Sequence, residues 1–371
     1  MAVITEAAIR ELATIKGERA PIISCYLDID GRRLVRQQDL EHEVGSILRA
    51  ARARAGGQAS VRSDLERIER LVQDGVDRSR ARGLAIFACS ADDLWKVVEL
   101  PVPVESRVVV NRLPAVGQLE ALLQDNEPIG VLLADKHRAR LFVFELGELV
   151  ERSELFDDPI LDEGPRGERD RGDNAQSVEE RVHHHLRHAA DVAFRLWRRH
   201  PFEHLVIAAP DQLVAPLEAA LHPYLRDRLR GRLKVPVGAS HGEILAAAQD
   251  IETQVIRRRD AALVDRLRAA VAGGRRGVAG LAAVTDALAD HRIDGLVVSK
   301  GYRSTGWRCD SCSRLATVGR RCARCGADMV EIEDLVEEVI QEALAQSCRV
   351  DICTGNADLD VMGRIGALLR Y

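Results

Sequence analysis

The sequence predicts an α/β protein made of three consecutive α/β domains. Short β-branched, apolar runs alternate with longer stretches in which apolar residues recur at helical spacing. Such alternation is typical of sheets covered by helices. The 371 residues exceed the ordinary length of one domain, roughly 100 to 200 residues. A polar segment at 124–130 and the end of a second block near 255 predict domains at 1–125, 126–255 and 256–371.

The first predicted domain contains a strand and two helices before further strands. Residues 22–29, IISCYLDI, have the composition of a strand, and 39–55 follow with helical spacing. After the tripeptide Gly56-Gly57-Gln58, Ser63 and Glu66 form an S-x-x-E capping box that predicts the start of a second helix. The tripeptide is therefore expected to link two helices. Further strands are predicted at 83–89, 97–104 and 106–113.

The second predicted domain contains a long polar loop. Three alternating apolar runs at 129–156 predict a β-meander, and 157–176 follow with few residues able to form a core. Loops longer than about 12 to 15 residues are uncommon in compact domains and are usually functional or disordered, so we expect a mobile, functional loop. Ser177 and Glu180 form a second capping box, which predicts that a helix begins directly after Gln176.

The third predicted domain alternates helix and strand twice, at 280–302 and 331–355. This pattern predicts a small α/β/α sandwich. Between the two pairs lies a cysteine-rich segment, CDSCSRLATVGRRCARCG, which we interpret as an inserted ribbon at 305–329.

Two C-x-x-C turns in this insertion predict a metal site. Each turn can direct two thiolates at one point, and two such turns supply the four sulfur ligands that Zn²⁺ prefers. The ligands would be Cys309, Cys312, Cys322 and Cys325. A closed four-sulfur site leaves no open coordination position, so the expected Zn²⁺ is structural. The nearby arginines either contact phosphate or keep the ribbon soluble, and the sequence leaves both open.

Composition narrows the function classes. Apolar residues make up 46% and charged residues 30%, as in ordinary globular proteins, and the net charge of -5 argues against a whole-surface nucleic-acid binder. Local arginine clusters keep an RNA partner open. No apolar run is long enough for a membrane span and the start lacks a leader pattern, so we expect a cytoplasmic protein without membrane contact.

The order of these segments resembles that of the archaeal and eukaryotic class-1 peptide release factors and their relative Pelota, a superfamily with divergent bacterial members. GLVVSKGY at 295–302, the C-x-x-C ribbon after it and the chain end at 348–371 are similar to the third domain of those factors. The runs at 129–149 and 204–213, with a loop and a helix between them, are similar to their middle domain. The resemblance covers nearly the whole chain and is weakest in residues 1–125.

The resemblance changes the meaning of the GGQ tripeptide. In the family the catalytic GGQ lies in the middle domain, in a loop before a long helix, and that position here holds Asn174-Ala175-Gln176. The family's codon-reading tip lies in the first domain, where this chain has Gly56-Gly57-Gln58. We interpret the visible GGQ as a coincidental interhelical turn. The family's N-I-K-S and Y-x-C-x-x-x-F elements also have no counterpart here, so neither decoding nor peptide release is expected.

Gln176 is the one catalytic candidate, and enzymatic activity is not expected. His184 and His188 are one helical turn apart, but no acidic or cysteine partner completes a metal site, so RNA contact is the alternative for them. Together with the tip and the loop, the candidate RNA contacts are Arg52, Arg54, Gly56, Gly57, Gln58, Arg62, Arg169, Arg171, Asn174, Gln176, His184 and His188.

The resemblance implies a ribosome-binding factor that occupies the A site of idle ribosomes, similar to the Balon type of bacterial hibernation factor. Its partners would be ribosomal RNA at the decoding and peptidyl-transferase centres and elongation factor Tu as a candidate delivering GTPase, and the protein would be a monomer. Two alternatives stay open. One is a rescue factor that hydrolyses or cleaves peptidyl-tRNA through Gln176, and the other is a zinc-ribbon adaptor that binds another RNA–protein complex through 256–371 alone.

Overall fold

The computed structural model describes residues 4–54, 58–79, 81–156, 171–274 and 276–371. The chain divides into two compact units, one formed by residues 1–124 together with 259–371 and the other by residues 125–258. Each unit is built from sheets covered by helices, so the predicted α/β class is confirmed. The division into domains at 125 and 255 stays a prediction. No helix in the described ranges is long and apolar enough to cross a membrane.

Residues 1–124 form a four-stranded antiparallel sheet with the strand order β3-β2-β1-β4. The hydrophobic side chains of Ile23, Cys25 and Leu27 alternate along β1 and pack under α2 and α3. The elements are α1 (Glu6–Thr14), β1 (Ile22–Asp28), α2 (Gln37–Arg54), α3 (Ala59–Gln73), β2 (Gly83–Cys89), β3 (Leu94–Leu100), β4 (Arg107–Asn111) and α4 (Gly117–Asp125).

The start of α3 differs from the sequence prediction. The capping box placed it at Ser63, whereas the helix begins at Ala59 with Gln58 as its N-cap residue. Val61 is fully buried and continues the apolar stripe of Leu65 and Ile68 by one more turn. Packing of Val61 therefore extends the helix beyond the local capping signal, and Ser63 lies inside it.

The unit at 125–258 has a five-stranded mixed sheet with the order β7-β6-β5-β8-β9. The predicted meander is confirmed, since β5, β6 and β7 are antiparallel neighbours. Along β5, Leu132 faces α5 and α6, whereas Val131 and Leu133 face α8. The elements are β5 (Ile129–Ala134), β6 (Arg138–Glu145), β7 (Glu148–Phe156), α5 (Arg171–Arg199), β8 (His204–Ala208), α6 (Asp211–Ala220), α7 (Pro223–Arg226), β9 (Leu229–Arg232) and α8 (His241–Ala272).

Helix α5 also begins earlier than predicted. The second capping box placed its start after Gln176, but the helical backbone already begins at Arg171. The last six residues of the predicted loop 157–176 are therefore helical, and 157–170 lie outside the described residues. Ser177, with its S-x-x-E pattern, is an internal residue of this helix. A capping pattern marks a helix start only where the chain is not already helical.

Residues 259–371 form the predicted sandwich around a sheet of order β10-β16-β11-β15. Leu267 of α8 and Leu359 of α11 pack on Val297, while α9 and α10 contact the sheet as a second helical layer. The inserted ribbon is a separate sheet of order β13-β12-β14. The elements are β10 (Gly277–Ala279), α9 (Leu281–Ala289), β11 (Ile293–Ser299), β12 (Gly306–Cys309), β13 (Leu315–Ala316), β14 (Met329–Ile332), α10 (Leu335–Ala345), β15 (Arg349–Cys353), α11 (Ala357–Val361) and β16 (Ile365–Leu369).

Buried ion pairs join the two segments of the larger unit. Arg107 of β4 lies 2.9 Å from Asp334 and 3.2 Å from Glu337, and the three side chains are almost fully buried. Asp334 is the N-cap residue of α10 and accepts hydrogen bonds from the first backbone N–H groups of that helix. The Glu337 carboxylate also accepts a hydrogen bond from the Gly117 backbone N–H. Residues 1–124 and 259–371 therefore share one polar interior.

Candidate functional site

The four predicted metal ligands lie together at one end of the ribbon. The Sγ atoms of Cys309 and Cys325 are 3.4 Å apart, those of Cys312 and Cys322 are 3.5 Å apart, and all four sulfurs lie within 4.8 Å of one another. Four sulfurs at Zn–S distances of about 2.3 Å in a tetrahedron would be about 3.8 Å apart. The spacing therefore fits a tetrahedral metal ion. Among the described residues, no other group of histidines, cysteines and carboxylates is arranged this way.

Each pair of cysteines is set by a tight turn of the same design. The N–H of Ser313 donates to the Cys309 carbonyl, and the N–H of Gly326 donates to the Cys322 carbonyl. Ser313 and Gly326 both have positive φ, at 58° and 74°, which closes each turn after the second cysteine. In the second turn, the N–H groups of Cys325 and Arg324 point at the Cys322 sulfur and lower the pKa of this thiol to about 6. The turn thereby favours the thiolate that binds metal.

The arginines of the ribbon have separate roles. Arg308 is buried and lies 2.7 Å from the Glu338 carboxylate, which is also buried, so it anchors the ribbon to α10. Arg314 pairs with Asp286 of α9 at 2.6 Å. Arg320 lies over the Trp307 ring, and Arg324 is exposed. Arg308 therefore neither contacts phosphate nor keeps the ribbon soluble, because its charge is neutralised inside the protein.

The tip between α2 and α3 is described in part. Gly56, Gly57 and the side chain of Arg54 lie outside the described residues. Arg52 is half-buried and forms an ion pair with Glu69 across the two helices, at 2.5 Å. Gln58 and Arg62 are exposed. Arg52 therefore helps to hold the two helices together, and Arg62 is the described arginine of the tip that points to solvent.

Gln58 also lines a cleft of about 650 Å³ between the N-terminal sheet and the ribbon. The cleft contains several arginines, but each has a carboxylate partner. Arg19 pairs with Asp92, Arg112 pairs with Asp310, and Arg308 pairs with Glu338. This cleft is therefore not an electropositive site for a phosphate.

Helix α5 carries the remaining predicted RNA contacts. The backbone of Arg171, Asn174 and Gln176 is helical, and their side chains lie outside the described part of the structure. Arg169 lies wholly outside it. His184 and His188 are exposed, opposite the buried Val182 and Leu186, as helical geometry predicted. The structure does not bring these two histidines to a group of metal-ligating atoms within the described ranges.

A surface that sequence reasoning missed lies at the end of α5. Phe194 and Trp197 stack with His222 and Tyr224, which are the N-cap residue and a first-turn residue of α7. The spacing of Phe194 and Trp197 in a chain with 4% aromatic residues was a local signal. Their partners follow more than twenty residues later, so the stack itself could not be predicted from the sequence.

Comparison with known proteins finds a family similar to the middle of the chain. Residues 114–253 match the family described as bacterial archaeo-eukaryotic release factor family 10. The match covers α4–α7, β5–β9 and the first turns of α8. Over these residues the chain is similar to a release factor family, as the resemblance in the sequence led us to expect. No curated protein matches the sequence.

Solved structures give weaker similarity, and two of the three described here align over most of the chain. A crystal structure of an archaeal translation termination factor aligns with 16% identity, over 99% of this chain and 99% of that one, with a TM-score of 0.26. Pelota from Archaeoglobus fulgidus aligns with 18% identity over 78% and 79%, with a TM-score of 0.35. The C-terminal domain of a peptide chain release factor from Methanosarcina mazei aligns with 20% identity over 36% and 97%, with a TM-score of 0.28. Similarity at this level carries no argument about activity.

Proposed function

We propose, from the match of residues 114–253 to a release factor family, that this protein binds the ribosome and occupies the A site of idle ribosomes without releasing peptide. The observation that carries the proposal is the segment Asn174-Ala175-Gln176. It stands where the family resemblance places the catalytic GGQ loop, has no glycine, and continues the helical backbone of α5. A helical residue has fixed φ and ψ and a backbone committed to internal hydrogen bonds, unlike a glycine loop.

The missing N-I-K-S and Y-x-C-x-x-x-F elements support the loss of decoding. The two helices of the tip are held together by the ion pair between Arg52 and Glu69, and the exposed polar side chains among its described residues are Gln58 and Arg62. We propose that this tip, residues 54–62, lies near the decoding centre and attracts RNA phosphate through Arg62. The segment 157–176 would reach towards the peptidyl-transferase centre. Elongation factor Tu is the proposed delivering GTPase.

The ribbon is proposed to hold Zn²⁺ as a structural ion. The four sulfur atoms that would bind it are those of Cys309, Cys312, Cys322 and Cys325, whose separations fit a tetrahedron. An ion bound there would fix two turns that otherwise have a small core of Trp307, Met329 and neighbouring alanines. A stable ribbon anchored by Arg308 would then present its exposed arginines to the stalk base or to the delivering GTPase.

The retained Gln176 favours one competing function, a rescue factor that uses this side chain to hydrolyse peptidyl-tRNA. The two proposals differ in what happens after binding. A hibernation factor binds vacant ribosomes and releases nothing, whereas a rescue hydrolase releases peptide from ribosomes that carry peptidyl-tRNA.

Co-sedimentation with vacant ribosomes and with peptidyl-tRNA-loaded ribosomes tests both, if released peptide is assayed in the same samples. We expect binding to vacant ribosomes without release, and no change in either with Gln176→Ala. Arg62→Ala is expected to weaken ribosome binding. It should also reduce the slope of log affinity against log salt concentration by about one. Arg70→Ala, an exposed arginine farther along α3, is the matched control. Release that depends on Gln176 would replace our proposal with the rescue function.

A further inference from the structure

The aromatic stack at the end of α5 has two layers. The inner layer is Phe194 and Trp197, which lie one turn apart on the helix with ring centroids 5.7 Å apart. His222 lies on Phe194 with a centroid distance of 3.8 Å and an interplanar angle of 13°, and Tyr224 lies beside Trp197 at 5.9 Å. In each neighbouring pair of rings, the interplanar angle is 26° or less. The arrangement is a stepped stack of flat rings.

The inner layer is anchored to the core and the outer layer is open. Trp197 Nε1–H donates to the Phe202 carbonyl, and the Arg228 guanidinium lies 4.8 Å from the Trp197 ring. His222 Nδ1 accepts the backbone N–H of Tyr224, which fixes the orientation of the imidazole. Tyr224 is 57% exposed, a high value for a large aromatic side chain. The stack therefore ends in the Tyr224 ring, which faces solvent.

The charge around the stack is strongly positive. Segments 194–200 and 222–230 together contain six arginines and one aspartate, in a chain whose net charge is -5. Within the described residues, none of these six arginines forms an ion pair with a carboxylate. Three of them, Arg226, Arg228 and Arg230, donate to backbone carbonyls instead, which holds them in place and leaves their charge uncompensated.

We propose that this aromatic surface, formed by Phe194, Trp197, His222 and Tyr224, binds an unpaired RNA nucleotide. The base stacks on the outer face of Tyr224 and His222, and the surrounding arginines hold the phosphates on either side. An exposed, preoriented ring beside guanidinium groups is the arrangement that single-stranded nucleic acid requires. An acidic peptide would use the charge but not the ring faces, and an apolar peptide would not use the arginines.

This inference deepens the proposed function and rests on it only for the source of the RNA, an unpaired base of the ribosome or its tRNA. It also gives the middle unit a second RNA contact, independent of the segment 157–176. Because a ring face accepts any base, we expect little preference for sequence and a clear preference for single strands.

The test uses the full chain and a labelled oligoadenylate of about ten nucleotides, with affinity measured by fluorescence anisotropy. Tyr224→Ala is expected to weaken binding roughly 5- to 150-fold, and Tyr224→Phe is expected to bind like the wild type. Tyr224→Leu keeps apolar bulk without a ring face, so it should behave like Tyr224→Ala. Tyr371→Ala removes an exposed tyrosine from the other unit and is the matched control.

Charge is tested separately with Arg198→Ala, an exposed arginine one turn from Phe194. It should lower the slope of log affinity against log salt by about one, a change that Tyr224→Ala should not produce. Equal affinity for wild type and Tyr224→Ala, or equal affinity for Tyr224→Leu and Tyr224→Phe, would overturn the proposal. A duplex that competes as well as the single strand would also overturn it.

The ribosome assay separates this inference from the proposed function. Ring-dependent binding of the oligonucleotide without co-sedimentation would keep the stacking surface and remove the ribosome as its partner. Co-sedimentation together with ring-independent oligonucleotide binding would keep the proposed function and remove the stacking surface.

Discussion

At the residue scale, the four ribbon cysteines are the chemically best-defined group in the protein. Their sulfur separations already match a tetrahedron, and backbone N–H groups favour the thiolate of Cys322. Binding of a metal would cost little rearrangement of the two turns. The isolated cysteines differ, because Cys25 is fully buried among apolar side chains and its thiol pKa is raised to about 12.

We therefore expect the purified protein to contain one zinc ion per chain, measured by elemental analysis. Cys322→Ser should lower the zinc affinity by more than the roughly 10- to 100-fold that outer-shell substitutions cost. Cys348→Ser is the matched control, because its sulfur lies outside the cluster and a hydroxyl can still donate to the Ile293 carbonyl. Equal zinc affinity of the two variants, measured by competition with a chelator, would show that the cluster is not the site.

The cysteine site was predictable from the sequence because both pairs of ligands are local and their spacing is itself the signal. The ion pair of Arg308 could not be predicted in this way, since its partner Glu338 is thirty residues later and nothing in the spacing links the two. The same holds for Tyr224, whose neighbour Trp197 belongs to another element. Residues that act through distant partners are visible only after the chain is folded.

At the element scale, strands were predicted better than helix ends. The run at 22–29 became β1 almost unchanged, because an apolar, β-branched segment of that length has few other ways to be buried. Both helix starts predicted from capping boxes were too late, at Ser63 and Ser177. A capping box is a local preference worth about 1 kcal/mol, and burial of a side chain such as Val61 outweighs it.

Helix α8 carries an acidic residue on its buried face. Glu252 is 7% exposed, and its Oε1 accepts no hydrogen bond. Burial, followed by the charges of Glu127 and Asp125, raises the pKa of its carboxyl to about 8. The folded state therefore binds a proton that the unfolded chain releases near pH 4.5. The stability that this proton contributes is complete at acidic pH and is lost as pH rises through about 8.

We expect the free energy of unfolding of residues 125–258 to fall between about pH 5 and about pH 9 by an amount of the order of a few kcal/mol. Glu252→Gln keeps the size of the side chain and removes the titration, so it should flatten this dependence and be more stable than the wild type at the alkaline end. The free energy of unfolding is measured by urea denaturation followed by tryptophan fluorescence, since residues 125–258 contain Trp197. Asp250→Asn, an exposed acid on the same helix, should leave the slope unchanged.

At the scale of the whole molecule, the two ends of the chain form one unit although a separate unit lies between them in sequence. Residues 1–124 meet 259–371 through Arg107, Asp334 and Glu337, and the Gln341 side chain donates to the Ala13 carbonyl. A fragment limited to 256–371 would expose these buried carboxylates. The adaptor alternative is therefore better tested by substitutions in the full chain than by truncation.

Substitution of two arginines in residues 1–124 measures how much the buried ion pairs with 259–371 contribute to stability. Arg107 is buried between two carboxylates, whereas Arg112 pairs with Asp310 at 2.9 Å with both side chains about half exposed. Arg107→Ala leaves two buried carboxylates without a counter-charge and should destabilise the larger unit by about 3–5 kcal/mol. Arg112→Ala removes the same charge at the surface and should cost less than about 1 kcal/mol. Equal losses in urea denaturation would contradict a buried ionic joint.

The pH dependence of the Arg107→Ala variant follows from Asp334. Burial, with the charge of Glu337, already raises the pKa of Asp334 to about 6 against the attraction of Arg107. Removal of Arg107 raises this pKa further, so protonation of Asp334 relieves more of the damage as pH falls. The stability difference between the wild type and Arg107→Ala should therefore shrink as pH falls from the variant's raised pKa of Asp334 to about 6, and should level off below about pH 6. A difference that stays constant with pH would mean that Arg107 acts through packing of its aliphatic stem rather than through its charge.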